Sequence, residues 1–482
     1  SKKIIKIAIV IIIIIKQLSL SKFDGMKKSQ QLPDFSSVGT LWRPFLFFLL
    51  PLLLTNILQS LSGTINTIFV GQMLGVQAIA AVSVFAPVLF FLMAFIIGIA
   101  SGSSILVGQA WGAKELDLVK RITGNSFAII LILGVMIAVT GSLLSQLIIV
   151  QMGVPAEIQG LANRYAKLML AGSPLLFLFI AYTSLLRGVG DSVTPLFAVG
   201  ISIVIGIVVT PALIQGWFGL PKLDIQAPAI ATLLSQLLVL LFLFFYTRAK
   251  NHPLQIDTQL LKYIRIQPDI ARKVIRLGLP TAFQMVTGAI SGLVIIGLVN
   301  GFGTNATAAY GAVNQVLSYV QFPAMSIAIA ASIYASQAIG AGKASALNCV
   351  TRTAMVTNLI ITGGLIVLAY LFSRYLMAMF ITVEGVIVLA QQLLHIVLWS
   401  LLFFSSGMIF SGMMRATGMV WQPMFISIGS ILLVEIPSAI LLSRHFGLQG
   451  IWWAYVANFI VMSVLQGLYY QFVWKKKAVE RL

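Results

Sequence analysis

A single cysteine, Cys349, stands in 482 residues, so no internal disulfide framework holds the chain. Three histidines, His252, His395 and His445, join that one thiol, which argues against a metal site. Carboxylates are scarce too: twelve, against 31 lysines and arginines, with charged residues only 9% of the whole. A water-soluble protein of this length could not keep so few charges outside, so most of the surface must face lipid. Alternation of period two is missing, which argues against a barrel. No Gly-rich loop ending in Lys-Ser/Thr appears, so ATP is not the expected energy source and no cofactor is expected. No nucleophile with its base stands out, so the chain is not expected to be an enzyme. Its cations are not gathered with interleaved aromatics, so no nucleic-acid partner is expected.

What is present is apolar sequence, 59% of the residues, with a mean hydropathy of +1.01. Uncharged stretches recur, each longer than the roughly 20 residues that cross a bilayer as helix. They predict spans at 45–70, 78–107, 122–150, 157–184, 194–215 and 227–247, then at 275–300, 306–336, 351–380, 385–412, 422–443 and 450–472. Pro51 and Pro280 open the first span of each set, where a missing N–H costs least. The fold class is an all-α polytopic membrane protein with 12 transmembrane helices.

The two sets of six are copies. Gly75, Ala78, Ala80 and Ala81 recur as Gly303, Ala306, Ala308 and Ala309, an offset of 228 residues. The same offset carries Gln109-Ala-Trp-Gly112-Ala-Lys114 onto Gln337-Ala-Ile-Gly340-Ala-Gly342, and Arg187, Gly190 and Pro195 onto Arg415, Gly418 and Pro423. It also carries Phe218-Gly-Leu220 onto Phe446-Gly-Leu448. Arg, Gly and Pro matching together over so long a stretch means one half duplicated.

Charge placement orients the copies. With the N-terminus inside, 26 lysines and arginines fall on the cytoplasmic side. Five fall on the other: Arg164, Lys167, Lys222, Arg374 and Arg444. This is the positive-inside signature, with both termini cytoplasmic in a bacterial-type plasma membrane. Six is an even number of crossings, so the halves are parallel repeats about a pseudo-two-fold axis along the membrane normal. Two like bundles joined on one side suit alternating access. The expected organisation is an N-terminal cytoplasmic segment, 1–43, and six-helix bundles at 44–247 and 275–472. A cytoplasmic linker, 248–274, joins the bundles and a basic tail, 473–482, follows. Within 1–43, a twelve-residue apolar run flanked by lysines reads as part of an upstream extension, 1–25, ahead of a natural start at Met26, or as an interfacial amphiphile.

The stretch Leu61-Ser-Gly-Thr-Ile-Asn66-Thr-Ile-Phe-Val-Gly71, the Gln109–Lys114 loop and the paired Arg/Gly/Pro loops resemble the multidrug and toxic compound extrusion (MATE) family, from about residue 40 onward. The resemblance implies a secondary antiporter that exports bulky, often cationic amphiphiles in exchange for protons or sodium ions, a coupling cation being its only cofactor. The chain departs from the family at its acids. Asn66 stands where an acid is common in the first helix, Gly206 and Thr210 replace an Asn–Asp pair in the fifth, and the seventh has no glutamate near Gly288. The family's usual coupling carboxylates are therefore not available.

Only one acid lies well inside a predicted span, Glu435, two residues before Pro437. Burial disfavours a carboxylate's charged form, which suits loading and releasing a proton; a structural carboxyl satisfied by neighbouring helices is the competing reading. His395, in the tenth span, is a second candidate to assist proton transfer, although a hydrogen-bonded structural imidazole is the favoured reading. Asn56, Gln59, Gly63 and Asn66 share one helical face, and the repeat places Gln284, Thr287 and Ser291 on the matching face of the seventh span. Asn314, Ser318 and Gln321 form a third such face, beside Tyr319. Polar groups facing lipid are costly, so these stripes point inward as substrate or ion walls or as interhelical packing. Function is favoured for Asn66. The 17 methionines and 30 phenylalanines suit a soft pocket, or lipid contact. Gly112, Arg187, Gly190, Pro195, Gly340, Arg415, Gly418 and Pro423 read as structural, with cations closing helix ends, glycines turning the chain and prolines opening the next helix. Asp191 pairs with Arg187 or caps the following helix. Amphiphilic small molecules and membrane lipid are the expected partners of a monomer. A flippase of lipid-linked saccharides and a membrane-embedded receptor or enzyme are the alternatives.

Overall fold

The structure, a computed structural model, describes residues 33–219, 221–477 and 479–482. Most of the segment 1–43, including the apolar run and Met26, lies outside the described residues. The chain forms α1 (Val38–Phe69), α2 (Val76–Gly112), α3 (Leu116–Gln151), α4 (Ala156–Ala171), α5 (Ser173–Gly188), α6 (Val193–Gln215), α7 (Gln226–Ala249) and the short α8 (Thr258–Lys262). It continues as α9 (Pro268–Asn300), α10 (Thr304–Gly340), α11 (Leu347–Leu371), α12 (Ser373–Ala378), α13 (Glu384–Val397), α14 (Leu401–Ala416), α15 (Trp421–Ser430), α16 (Ile436–Phe446) and α17 (Leu448–Phe472). No strand occurs among the described residues.

Eleven helical segments are long and apolar enough to cross a membrane, and α4 with α5 makes a twelfth, bent by 50°. The bend has a local cause: Pro174, at the start of α5, offers no N–H to the preceding turn, and the helix breaks at Gly172. The ninth span stops at Leu371 rather than near 380, because the chain turns off there into α12.

The duplication shows in the backbone. Positive φ angles pair at the 228-residue offset: Gly75 with Gly303, Lys114 with Gly342, Gly190 with Gly418, and Gly219 with Gly447. The stretch from Pro51 to Gly75 is one residue longer than that from Pro280 to Gly303. A π turn at Val70–Leu74 lies within the longer stretch, and widening one turn is how a helix absorbs a single extra residue. The repeat also runs past the last sequence match. Phe242 stacks on Tyr246 with centroids 5.4 Å apart, and their counterparts Tyr470 and Trp474 stack at 4.6 Å.

The chain folds as two compact units. One is built from Leu50–Gly278, the other from Pro33–Leu49 together with Leu279–Leu482. Residues 44–49, placed in the N-terminal bundle from sequence, thus pack in the second unit, and the linker packs in the first. In the first unit α9 starts against α2 with no room for a side chain. A Cβ on Gly278 would lie 2.5 Å from Ile99 Cα, and one on Gly102 would lie 2.7 Å from Gly278 N. In the second unit, Tyr334 donates to the Pro44 carbonyl at 2.9 Å, with Phe35, Phe45 and Phe48 around its ring. The core of that unit is apolar, centred on Val313, Leu317, Leu393, Leu394 and Trp452.

Candidate functional site

The second unit holds one buried carboxylate. Pro437 has no N–H to give the carbonyl four residues back, and its ring crowds that carbonyl. The helix widens just before it into a π turn, Ile431–Glu435, at the end of which Glu435 sits 5% exposed. In an unbroken α-helix Glu435 would stand about 140° around the axis from Ser430. A turn closed on the fifth residue brings the two onto one face.

That face meets α9 and α17. Ser291 of α9 donates to Glu435 Oε1, and Asn458 of α17 donates through Nδ2 to Oε2. Ser430 donates to Asn458 Oδ1, which fixes the amide with its N–H groups toward the carboxylate. Two turns along α9, Gln284 Nε2 donates to Ser427 Oγ at 2.9 Å, and Gln466 Nε2 of α17 does the same at 2.9 Å. Gln466 Oε1 is buried without a hydrogen-bond partner. The result is a polar seam of carboxyl, amide and hydroxyl groups inside an apolar unit, and every partner of the carboxylate is neutral.

Of the residues singled out from sequence, Glu435, Gln284 and Ser291 come together here. Thr287 bonds the carbonyl of Phe283 in its own helix at 2.8 Å. Asn314 and Gln321 are half-buried on α10. His395 lies elsewhere in the unit, its Nε2 3.0 Å from Ser373 Oγ and its ring 5.0 Å from that of Tyr370. Asn56 and Asn66 are half-buried and Gln59 exposed along α1 in the first unit. Sequence reasoning missed Asn458, Gln466, Ser427 and Ser430. The one available signal was the two-turn spacing of Asn458 and Gln466 in an otherwise apolar span.

The duplicated loops carry structure. Gly190 and Gly418 have φ of 89° and 83°, the left-handed turn that favours glycine. Asp191 does not pair with Arg187. It accepts from the amides of Val193 and Thr194 at 3.0 and 2.9 Å, so it caps α6, and His252 Nε2 lies 3.4 Å from its Oδ2. Burial pushes this carboxyl up, but the His252 ring and the Thr194 hydroxyl and amide hold it below the ordinary carboxylate range. Gly112 and Gly340 close α2 and α10, and Arg187 and Arg415 lie in the last turns of α5 and α14. Pro195 and Pro423 stand in the first turns of α6 and α15.

Comparison with known proteins decides the family. The profile named MatE matches residues 51–212 and 280–441, one match per repeat, beginning at Pro51 and Pro280. The chain belongs to the MatE family. A relative in Bacillus subtilis (strain 168), the probable multidrug resistance protein YoeA, is 44% identical over 448 residues, covering 92% of this chain and 97% of its own. Among solved structures, a crystal structure of MATE in complex with MaL6 superposes with a TM-score of 0.83 at 22% identity, covering 92% of this chain and 98% of that one. A MOP superfamily transporter from Pyrococcus furiosus Vc1, described as having a binding pocket of reverse polarity that suggests a different function, gives 0.82 at 22% identity, over 94% and 99%. This MatE chain is a multi-pass membrane transporter. Glu435, Ser291, Ser427 and Ser430 fall within the second MatE match, whereas Asn458 and Gln466 lie beyond residue 441.

Proposed function

We propose that the chain is a proton-driven antiporter that exports bulky amphiphilic or cationic compounds, with Glu435 as the proton carrier. The observation that carries this reading is a buried carboxylate whose partners, Ser291 and Asn458, are both neutral. A charge in such surroundings is costly, and a carboxyl relieves the cost by taking a proton. The proton belongs on Oε1: the Ser291 hydroxyl can turn from donor to acceptor, whereas the Asn458 N–H groups only donate. The same geometry disfavours a sodium ion at Oε2, since a metal ion needs lone pairs and the Asn458 N–H groups there present hydrogens. Asn56, Gln59, Asn66, Asn314 and Gln321 supply hydrogen-bonding groups for substrate. Export proceeds by alternating access, exposing Glu435 to one side of the membrane and then the other. The transporter works as a monomer in the bacterial plasma membrane, with both termini cytoplasmic and no bound cofactor. A flippase handling anionic lipid headgroups would need cations facing this seam, which is lined instead by serine, asparagine and glutamine. The multidrug name of the Bacillus relative supports the substrate class.

The test is efflux of a fluorescent lipophilic cation from proteoliposomes, driven first by a proton gradient and then by a sodium gradient at fixed pH. The proton gradient drives efflux in the unaltered chain, and Glu435→Gln abolishes that response. Wild-type proton-driven efflux by a folded Glu435→Gln variant, or drive by sodium alone, overturns the reading.

A further inference from the structure

The connection between α7 and α9 is a strap pinned to α3 along its inner edge, with its cations left outside. Asp257 accepts from the Leu260 amide at 2.8 Å, capping α8, and pairs with Lys120 of α3. Asp117 of α3 accepts from Gln259 Nε2 at 2.9 Å and from the Tyr263 hydroxyl at 2.7 Å. Arg121 donates to Gln267 Oε1, at 2.9 Å through Nη2, and Asn125 Nδ2 donates to the carbonyls of Arg265 and Gln267 at 3.1 and 3.2 Å. Gly124 leaves room for the strap to lie flush on α3, since a Cβ there would stand 2.6 Å from the Tyr263 carbonyl. The inner edge is thus pinned along its length.

The outer edge is different. Lys262, Arg265, Arg272, Lys273 and Arg276 are all exposed, and none forms an ion pair among the described residues. Asp269 is the one acid between the first and last of them. Leu261, Ile266 and Ile275 are interleaved with these cations and are 54%, 51% and 43% exposed. The apolar part of α9, a membrane-crossing helix, begins immediately after Arg276. Free cations interleaved with exposed aliphatic side chains at the edge of a membrane span match an anionic headgroup above its glycerol and acyl region. We propose that this strap is a binding surface for anionic phospholipid in the leaflet it borders.

The experiment uses the full chain purified in detergent and counts lipids retained in native mass spectra, with phosphatidylglycerol offered against phosphatidylcholine. Phosphatidylglycerol is retained at least about tenfold more strongly, and the preference fades with added salt. The variant Arg265→Gln/Arg272→Gln/Lys273→Gln loses the preference, as does Leu261→Ser/Ile266→Ser in part, while the tail variant Lys475→Gln/Lys476→Gln/Lys477→Gln keeps it. Glycerol phosphate, the headgroup without its chains, does not displace the lipid. Equal retention of the two lipids by the unaltered chain overturns the proposal, and so does loss of preference in the tail variant equal to that in the strap variant. Displacement by glycerol phosphate also overturns it, assigning the site to a soluble phosphate. Equal retention and displacement by glycerol phosphate are read on the unaltered chain and stand even where a variant fails to fold.

Discussion

Lys114 holds a φ of 61° at the position where the second repeat has Gly342 at 72°. The turn is the same in both copies, so the two residues solve one backbone requirement with different side chains. A side chain in the left-handed region is strained by contact between Cβ and the carbonyl oxygen, a cost of about 1–2 kcal/mol that glycine escapes. Glycine gives part of this back through its greater freedom in the unfolded chain. Lys114→Gly is therefore expected to leave stability unchanged or raise it by up to about 1 kcal/mol, and Gly342→Ala to lower it by about 1 kcal/mol. Thermal unfolding of the detergent-purified variants checks both. A loss on Lys114→Gly larger than that on Gly342→Ala would mean that the lysine side chain, and not the turn, holds the first loop. Asp191 makes a related point about substitution between copies. Its counterpart is Met419, so the cap and the His252 contact belong to the first repeat alone, although the glycine turn beside them is common to both.

At the scale of the element, the π turn at Ile431–Glu435 separates what the residues announce from what only the fold reveals. Glu435 was legible because a lone acid in a long apolar run has few places to go, and Gln284 and Ser291 because they share a helical face. Their partners were not. Hydrogen bonds that join Ser291 to Glu435 and Glu435 to Asn458 cross 144 and 23 residues of chain, and a single serine or asparagine in an apolar span does not say which helix it faces. Pro437 signals a disturbance, but kinking and widening answer it equally well from sequence. The structure's answer leads to a prediction. Pro437→Ala restores the N–H and lifts the clash, which together cost an interior helix about 3 kcal/mol. The variant is expected to melt no lower than the unaltered chain, yet with the turn drawn back to α geometry Glu435 rotates away from Ser430. Proton-driven efflux then falls by about tenfold or more, in line with the usual loss when a positioned acid–base group is misplaced. Full transport in a variant at least as stable would show that the widened turn has no part in holding the carboxyl.

For the whole molecule, the spans were legible because lipid imposes length and apolarity on every crossing, and the duplication because glycine and proline mark turns that both copies must make. The way the chain is divided into units was not. Pro33–Leu49 packs with Leu279–Leu482, and the linker with the first unit, because both α1 and α9 are single continuous helices whose two ends belong to different units; sequence periodicity carries no mark of such a change. Orientation rests on charge alone, and the lone cysteine makes it testable. In a Cys349→Ser background, single cysteines are placed at Lys262 and Lys477, on the side with 26 cations, and at Lys222 and Arg444, on the side with five. Lysines and arginines near span ends resist transfer across the membrane, so an impermeant maleimide added to intact cells is expected to label Lys222→Cys and Arg444→Cys. It reaches Lys262→Cys and Lys477→Cys only after permeabilisation. An even number of crossings between Lys262 and Lys477 requires those two to behave alike. Were one labelled from outside and the other not, a span would have been miscounted in the second half; were both labelled from outside, the charge bias would be orienting nothing.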